Sequence, residues 1–208
     1  MIRHSLAIPT EAPVMVLPGA VLFPHSLLPL RIFEPRYRAM LEWALEHDHM
    51  FCVAQMKPGI ADAETDDQFF HVAGIGLISA SVTQADGTSN LMLQGLERVR
   101  FHRFRQSAPF RIAEIEPLPG IISDPEKAAT LASTIRKQCS AIRVNDTPLP
   151  ESFSEALRRI TEADVLADTV AQSLVTDAMA RQALLEEEDA TARLRKLSRI
   201  LREPFLLG

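Results

Sequence analysis

The stretch VMVLPGAVLFPHSLLPLRIFEPRYRAMLEWAL, Val14 to Leu45, sets four prolines among apolar residues and then turns into a charged, amphipathic segment. The prolines divide it. Pro18 and Pro24 bracket a shaped loop, and Pro29 begins or edges a strand, since proline donates nothing to a ladder. Pro35 suits a first helical turn, where its missing N–H would have no intrahelical partner. Beyond it, Tyr37, Met40, Leu41, Ala44 and Leu45 follow the i, i+3, i+4, i+7, i+8 spacing of one helix face. Arg38 and Glu42 stand four apart on the other side, where they can pair in solvent. The helix is expected to lie against a β-rich body and cover one of its open ends.

Outward from that stretch, the period-two pattern continues as far as Pro119. VMVL, LLPLRIF, MFCVAQM, HVAGIGLISASVTQ, SNLMLQG, ERVRFHRF and RIAEIEPL all read as strands, with a tight turn at Asp86 to Ser89. Seven short strands with turns between them predict a barrel or sandwich. From Ser123 the period becomes helical. Ser123 and Glu126 have capping-box spacing, and Leu131, Ile135, Cys139 and Ile142 form a stripe that runs to a polar break at VNDTPLP. Helices are expected at Phe153–Ala163, Val165–Val175, Ala178–Glu186 and from Asp189, the last burying Leu194, Leu197 and Leu201. The class is α+β, with a β subdomain over 8–119 and a helical bundle over 120–208.

Composition excludes several functions. The chain has 208 residues, 47% hydrophobic and 24% charged, with a formal net charge of −5. That balance offers no overall attraction for nucleic acid or anionic membranes. Cys52 and Cys139 are isolated, as in a reducing compartment. The N-terminal MIRHSLAIPTEAP is too short and interrupted for a signal peptide, and no apolar run approaches a membrane span. The expected setting is cytoplasmic.

Motifs for common chemistry are missing: no GxxxxGK[ST], no GxGxxG after a strand and no GxSxG. No cofactor is implied. The only local histidine cluster, His47-Asp48-His49, supplies two metal ligands at most and reads as a polar turn. His25 in FPHS reads as a loop residue. ERVRFHRFR interleaves cations with Val99, Phe101 and Phe104, a pattern shared by single-stranded nucleic-acid surfaces and by half-buried strands. The acidic run Glu186 to Asp189 reads as a solvated helix end.

The opening stretch resembles the start of the N-terminal, substrate-binding domain of the ATP-dependent Lon protease family. LMLQGLERVRF, Leu91 to Phe101, is similar to that domain's hairpin, and LADTVAQSLVTDAMARQALLEEEDATARLRKLSRIL to its helical part. Together the matches span Val14 to about Leu201. The resemblance implies a PUA-like β-pseudobarrel with one packed helix, followed by a C-terminal α-helical bundle. It also implies a recognition module standing alone, because the AAA+ ATPase and Ser-Lys peptidase of the full-length family have no counterpart here.

The expected function is therefore non-catalytic binding of proteins or unfolded polypeptide segments. The candidate contact residues are Phe23, Pro24, Leu27, Leu28, Phe33 and Arg36, because prolines hold a loop in shape and reduce the ordering cost of binding. A second reading is RNA binding through Arg98, Arg100, His102, Arg103 and Arg105. It fails if these cations are scattered or paired with Glu97, Glu114 and Glu116. A third is an enzyme whose groups converge from distant positions.

Overall fold

A computed structural model describes residues 7–144 and 147–203. Six strands form one mixed sheet: β1 (Glu11–Leu17), β2 (Leu27–Ile32), β3 (Met50–Gln55), β4 (Val72–Thr83), β5 (Ser89–Gln106) and β6 (Arg111–Pro117). Helix α1 (Pro35–Glu46) follows β2. The later helices are α2 (Pro125–Ala141), α3 (Glu151–Arg159), α4 (Ala163–Leu174), α5 (Ala178–Leu185) and α6 (Ala190–Ile200). A two-residue pairing of Arg143–Val144 with Thr147–Pro148 lies in the predicted polar break, whose Asn145 and Asp146 fall outside the described residues, as does the N-terminal stretch through Leu6.

The strand order is β2-β5-β4-β3-β1-β6, with an added β5–β6 pairing that closes β5, β4, β3, β1 and β6 into a ring. Only β1–β3 is parallel. Two predicted strands, SNLMLQG and ERVRFHRF, are one 18-residue strand, β5. It is long enough to pair with β2 and β4 at one end and with β4 and β6 at the other, which is how a single strand closes the ring.

Alternation then assigns the faces. Val14, Val16, Cys52, Ala54, Ile75, Val99, Phe101, Ala113 and Ile115, from all five ring strands, form one buried cluster. Met15, Phe51 and Val53 point the other way, onto Tyr37, Met40, Leu41 and Ala44 of α1. Helix α1 therefore covers the outer face of β1 and β3 and not an open end, which is why β3 is buried at every position. Leu45, predicted on the packed face, is 36% exposed. Arg38 forms no ion pair with Glu42; its guanidinium lies over Gly87 in the β4–β5 turn, so closely that a Cβ there would overlap it.

Helices α2 to α6 share a third cluster that includes Ala128, Ile135, Leu166, Val170, Leu194 and Leu197. The N-cap of α2 is Asp124, which accepts from Lys127 N at 3.0 Å, and not the predicted Ser123. Ser123 instead bonds Asp189, the N-cap of α6, through its amide (3.1 Å) and hydroxyl (2.7 Å). Two helix starts are thereby tied across 66 residues. Partial burial raises the Asp189 carboxyl, but the bonds from Ser123, Thr191 and Ala192 outweigh it and hold the carboxyl below its usual range.

The cysteines are core residues. Burial pushes the Cys52 thiol far above its usual range and Cys139 up to about 11. At pH 8 a thiol of that kind is about 0.1% thiolate, and the thiolate is the reactive form. Native protein is therefore expected to resist iodoacetamide, with both residues alkylated only after denaturation, as read by intact-mass spectrometry. Labelling of either in the native state would contradict the assigned burial.

Candidate functional site

The two halves meet over the loop of the opening stretch. Val21 and Phe23 enter the helical cluster, while Leu22 turns into the cluster under α1. The loop can lie so close to the ring because β4 and β5 carry glycines beneath it: a Cβ on Gly74 would overlap the Leu22 carbonyl oxygen, and one on Gly95 that of Phe23. His25 N donates to Gly95 O (2.9 Å) and Gly95 N to Ser26 O (2.8 Å). From the helical side, Gln172 bridges the loop to α5, its amide nitrogen 3.1 Å from Val21 O and its oxygen 2.8 Å from Arg181 Nη2. Gln182 Nε2 donates to Val72 O at 3.0 Å.

A buried ionic cluster completes the joint. Arg98 of β5 makes a bidentate pair with Asp168 of α4 (2.6 and 2.9 Å) and donates from Nε to Leu185 O (2.9 Å). Arg193 of α6 places Nε 3.1 Å from the same carboxylate, off the line of a hydrogen bond, and donates from Nη1 to Glu187 O at 2.5 Å. All three side chains are 1–3% exposed. Burial pulls the Arg193 pKa down, and Asp168 partly restores it.

These contacts remove two residues from the candidate set. Phe23 is fully buried, and Pro24 is buried beside it. A loop clamped between a sheet and helices buries both sides of its chain, so its apolar residues are interior ones. Arg36 is partly buried and ion-paired to Glu34 (2.8 Å) and Asp62 (3.0 Å). Leu28 is half-buried against the α1 cluster. Leu27 and Phe33 remain, 57% and 60% exposed.

They belong to an outward apolar face. On β2, Leu27, Pro29 and Arg31 point outward while Leu28, Leu30 and Ile32 point inward, and Phe33 is exposed just beyond the strand end. The register sets Pro29 beside Met92 and Ala80, and Arg31 beside Asn90 and Val82. A groove of about 540 Å³ runs over these residues. It continues at the β4–β5 turn into a polar recess of about 420 Å³ bounded by Arg31, Gln84, Asp86, Thr88 and Asn90. Gly87, at φ +79°, makes the turn, and Asp86 Oδ1 accepts from Thr88 N (2.9 Å) and Oγ1 (2.8 Å).

Sequence reading missed Ala80, Val82 and Met92. Strict alternation along ISASV would put Val82 on the same side as buried Ile78. A bulge breaks the alternation: Ile78 opposes Leu93 and Ala80 opposes Met92, so two steps of β4 match one of β5 and Val82 emerges outward, 61% exposed. Nothing in the local sequence marks that bulge.

The arginine-rich part of β5 meets the criterion set against it. Arg98 is buried as described. Arg100 pairs with Glu188 (3.0 Å), His102 with Glu116 (2.9 Å), Arg103 with Glu114 (2.7 Å), and Arg105 with Glu11 (3.1 Å) and Glu114. β6, directly opposite, supplies Glu114 and Glu116, while Glu11 comes from β1 and Glu188 from the segment after α5. His47 stacks on Trp43, with ring centroids 3.8 Å apart, and ends α1. Among the described residues, no group of three or more His, Cys, Asp or Glu side chains is placed to hold a metal ion. No helix among them is long and apolar enough to cross a membrane.

Comparison with known proteins gives a consistent picture. The model of the ATP-dependent protease La (LON) substrate-binding domain matches residues 11–203. Lon protease from Vibrio parahaemolyticus is 29% identical over 185 residues, and that from Trichlorobacter lovleyi 27% over 201. These alignments cover 88% and 96% of this chain but only 23% and 24% of the relatives. In fold, the chain is similar to the N-terminal domain of the Mycobacterium avium complex Lon protease, with a TM-score of 0.75 at 20% identity over 93% of this chain and 98% of that one. It is also similar to a Lon N-terminal domain protein from Xanthomonas campestris, with a TM-score of 0.64 at 23% identity over 91% and 97%. With the match running from the first residue of β1 to the end of the described structure, the chain belongs to the ATP-dependent protease La (LON) substrate-binding domain family.

Proposed function

We propose that this chain is a non-catalytic recognition module that binds exposed apolar segments of other polypeptides along the outward face of β2, β5 and β4. The observation that carries this reading is the exposure of Leu27, Phe33 and Val82 on and beside one apolar groove. Large apolar side chains gathered on a surface mark interaction sites. The family's description as a substrate-binding domain supports the same reading. The ring and the helices are read as a PUA-like β-pseudobarrel over 8–119 and a helical bundle over 120–208, joined rigidly by the Arg98–Asp168–Arg193 cluster. RNA is not the favoured ligand, because its candidate cations are already matched by carboxylates.

The test is binding of a fluorescently labelled, permanently unfolded protein, followed by anisotropy, to wild type and to the double variant Leu27→Ser/Val82→Ser. Both positions are solvent-exposed, so stability should stay within about 0.5 kcal/mol of wild type. Affinity should fall about tenfold or more, since truncating apolar contact residues costs about 1–2 kcal/mol where they anchor a ligand. Equal binding by both proteins, or none by wild type, would sink the assignment.

A further inference from the structure

The outward face contains one feature that an apolar groove does not require. Arg31 lies on its floor line, between Pro29 and the polar recess, and makes no ion pair among the described residues. Its situation differs from that of Arg36, Arg100, Arg103, Arg105 and Arg111, each of which meets a carboxylate. The chain as a whole is acidic, with a formal net charge of −5, yet the groove presents a cation and no carboxylate along its lining. Arg38, over Gly87 at the same end, is also without an ion pair among the described residues. The one acid there, Asp86, has an oxygen held by Thr88 N and Oγ1, and those bonds, with the charge of Arg31, keep its carboxyl below the usual range. The charge of Arg31 thus acts on one carboxylate that already serves the turn and that it does not reach in an ion pair.

We propose that this face selects extended polypeptide segments in which apolar side chains are followed, at the same two-residue spacing, by an acidic side chain that pairs with Arg31. The inference rests on the peptide-binding reading above and names the chemistry of its ligand. The spacing follows from the register. Leu27 with Gln94, Pro29 with Met92 and Ala80, and Arg31 with Asn90 and Val82 form three successive rows across the sheet. Rows two residues apart in a strand lie about 7 Å from one another, which is also the repeat of same-side residues in an extended ligand. A segment lying along the strands therefore sets side chains i and i+2 over Leu27 and over the Pro29–Met92–Ala80 row, and i+4 on the Arg31 row. An acid at i+4 meets a cation that makes no ion pair among the described residues; a lysine there meets a like charge.

The experiment uses the full chain and N-acetylated, C-amidated fluorescent peptides of the form X-x-Leu-x-Leu-x-X, with X as Glu, Gln or Lys and x as Ser or Thr. The symmetric design allows binding in either chain direction, and amidation removes the terminal carboxylate. The expected order of affinity is Glu, then Gln, then Lys, spanning about tenfold and narrowing in high salt. In Arg31→Glu the order should reverse. Arg31 is exposed and forms no ion pair among the described residues, so that variant should fold, as its circular dichroism and melting would verify. Equal affinity for the three peptides, or an unchanged order in Arg31→Glu, overturns the charge selection while leaving the apolar reading standing. A Gln peptide with a free C-terminus that matches the Glu peptide overturns the assignment to a side chain. Competition by single-stranded RNA that is lost in Arg31→Glu overturns it in favour of a phosphate ligand. No binding by any peptide or unfolded protein overturns both readings together.

Discussion

Replacing Asp168 with alanine is expected to cost about 3–5 kcal/mol of folding stability, read as a lower urea midpoint with the slope of the transition followed alongside. The reason is what the substitution leaves behind. Arg98 and Arg193 both direct guanidinium groups at this carboxylate, and their side chains are 3% and 1% exposed. Without it, two positive charges face each other in a region of low polarity, with only the carbonyl oxygens of Leu185 and Glu187 to accept from them. Removing one partner of a buried pair is costly because the other is left uncompensated, and here two are left. The wild-type cluster is itself one carboxylate short, and Arg193 Nη2 has no hydrogen-bond partner. A double-mutant cycle separates the pairing from simple packing: Arg98→Met with Asp168→Leu should lose clearly less than the sum of the two single losses. Strict additivity would mean that the pair is not coupled. Because the cluster ties β5 to α4 and α6, Asp168→Ala is also expected to raise the slow hydrogen-exchange rates along both sides of the joint.

The second large effect is at Gly95. Gly95→Val should destabilise the protein by about 3 kcal/mol or more, at or above the upper end of what overpacking costs. The atom a Cβ would strike is the Phe23 carbonyl oxygen, which belongs to backbone and not to a side chain that could swing aside. That backbone is held there by the paired bonds His25 N to Gly95 O and Gly95 N to Ser26 O. Either the loop lifts, withdrawing Phe23 from the helical cluster, or β5 shifts and strains its pairing with β2 and β4. Gly120→Ala is the control. Its Cβ would come no nearer than 3.9 Å to Glu188 O, so that change should be neutral or slightly stabilising, by about 0.4–1 kcal/mol where the native backbone tolerates it. Equal melting of the two variants would show that the loop is not pressed against the sheet.

Several elements are legible in the sequence alone. Pro35 opens α1, Asp189 caps α6, and Leu194, Leu197 and Leu201 are buried as their spacing required. Each is decided within one or two helical turns. The candidate site was only half legible. Leu27 and Phe33 are exposed, but Phe23 and Pro24 are not, although all four lie in one apolar loop-and-strand segment. What separates them is the helices carrying Gln172 and Arg181, which descend on the loop from about 150 residues later in the chain.

The merging of two predicted strands into β5 has the same origin. An 18-residue strand is continuous because three different partners bond its successive parts.

By itself, then, the sequence determined the α+β class, the switch of period near residue 120, the work of the prolines and the family. All of these follow from local conformational preference and from residue order. The closed ring, the burial of Phe23, the pairing of Arg100, His102 and Arg103 with Glu188, Glu116 and Glu114, and the emergence of Val82 beside Arg31 were decided only by the tertiary structure. Burial and charge compensation depend on which distant segments arrive at a surface, and a one-residue bulge reverses a strand's faces without leaving any mark in its composition.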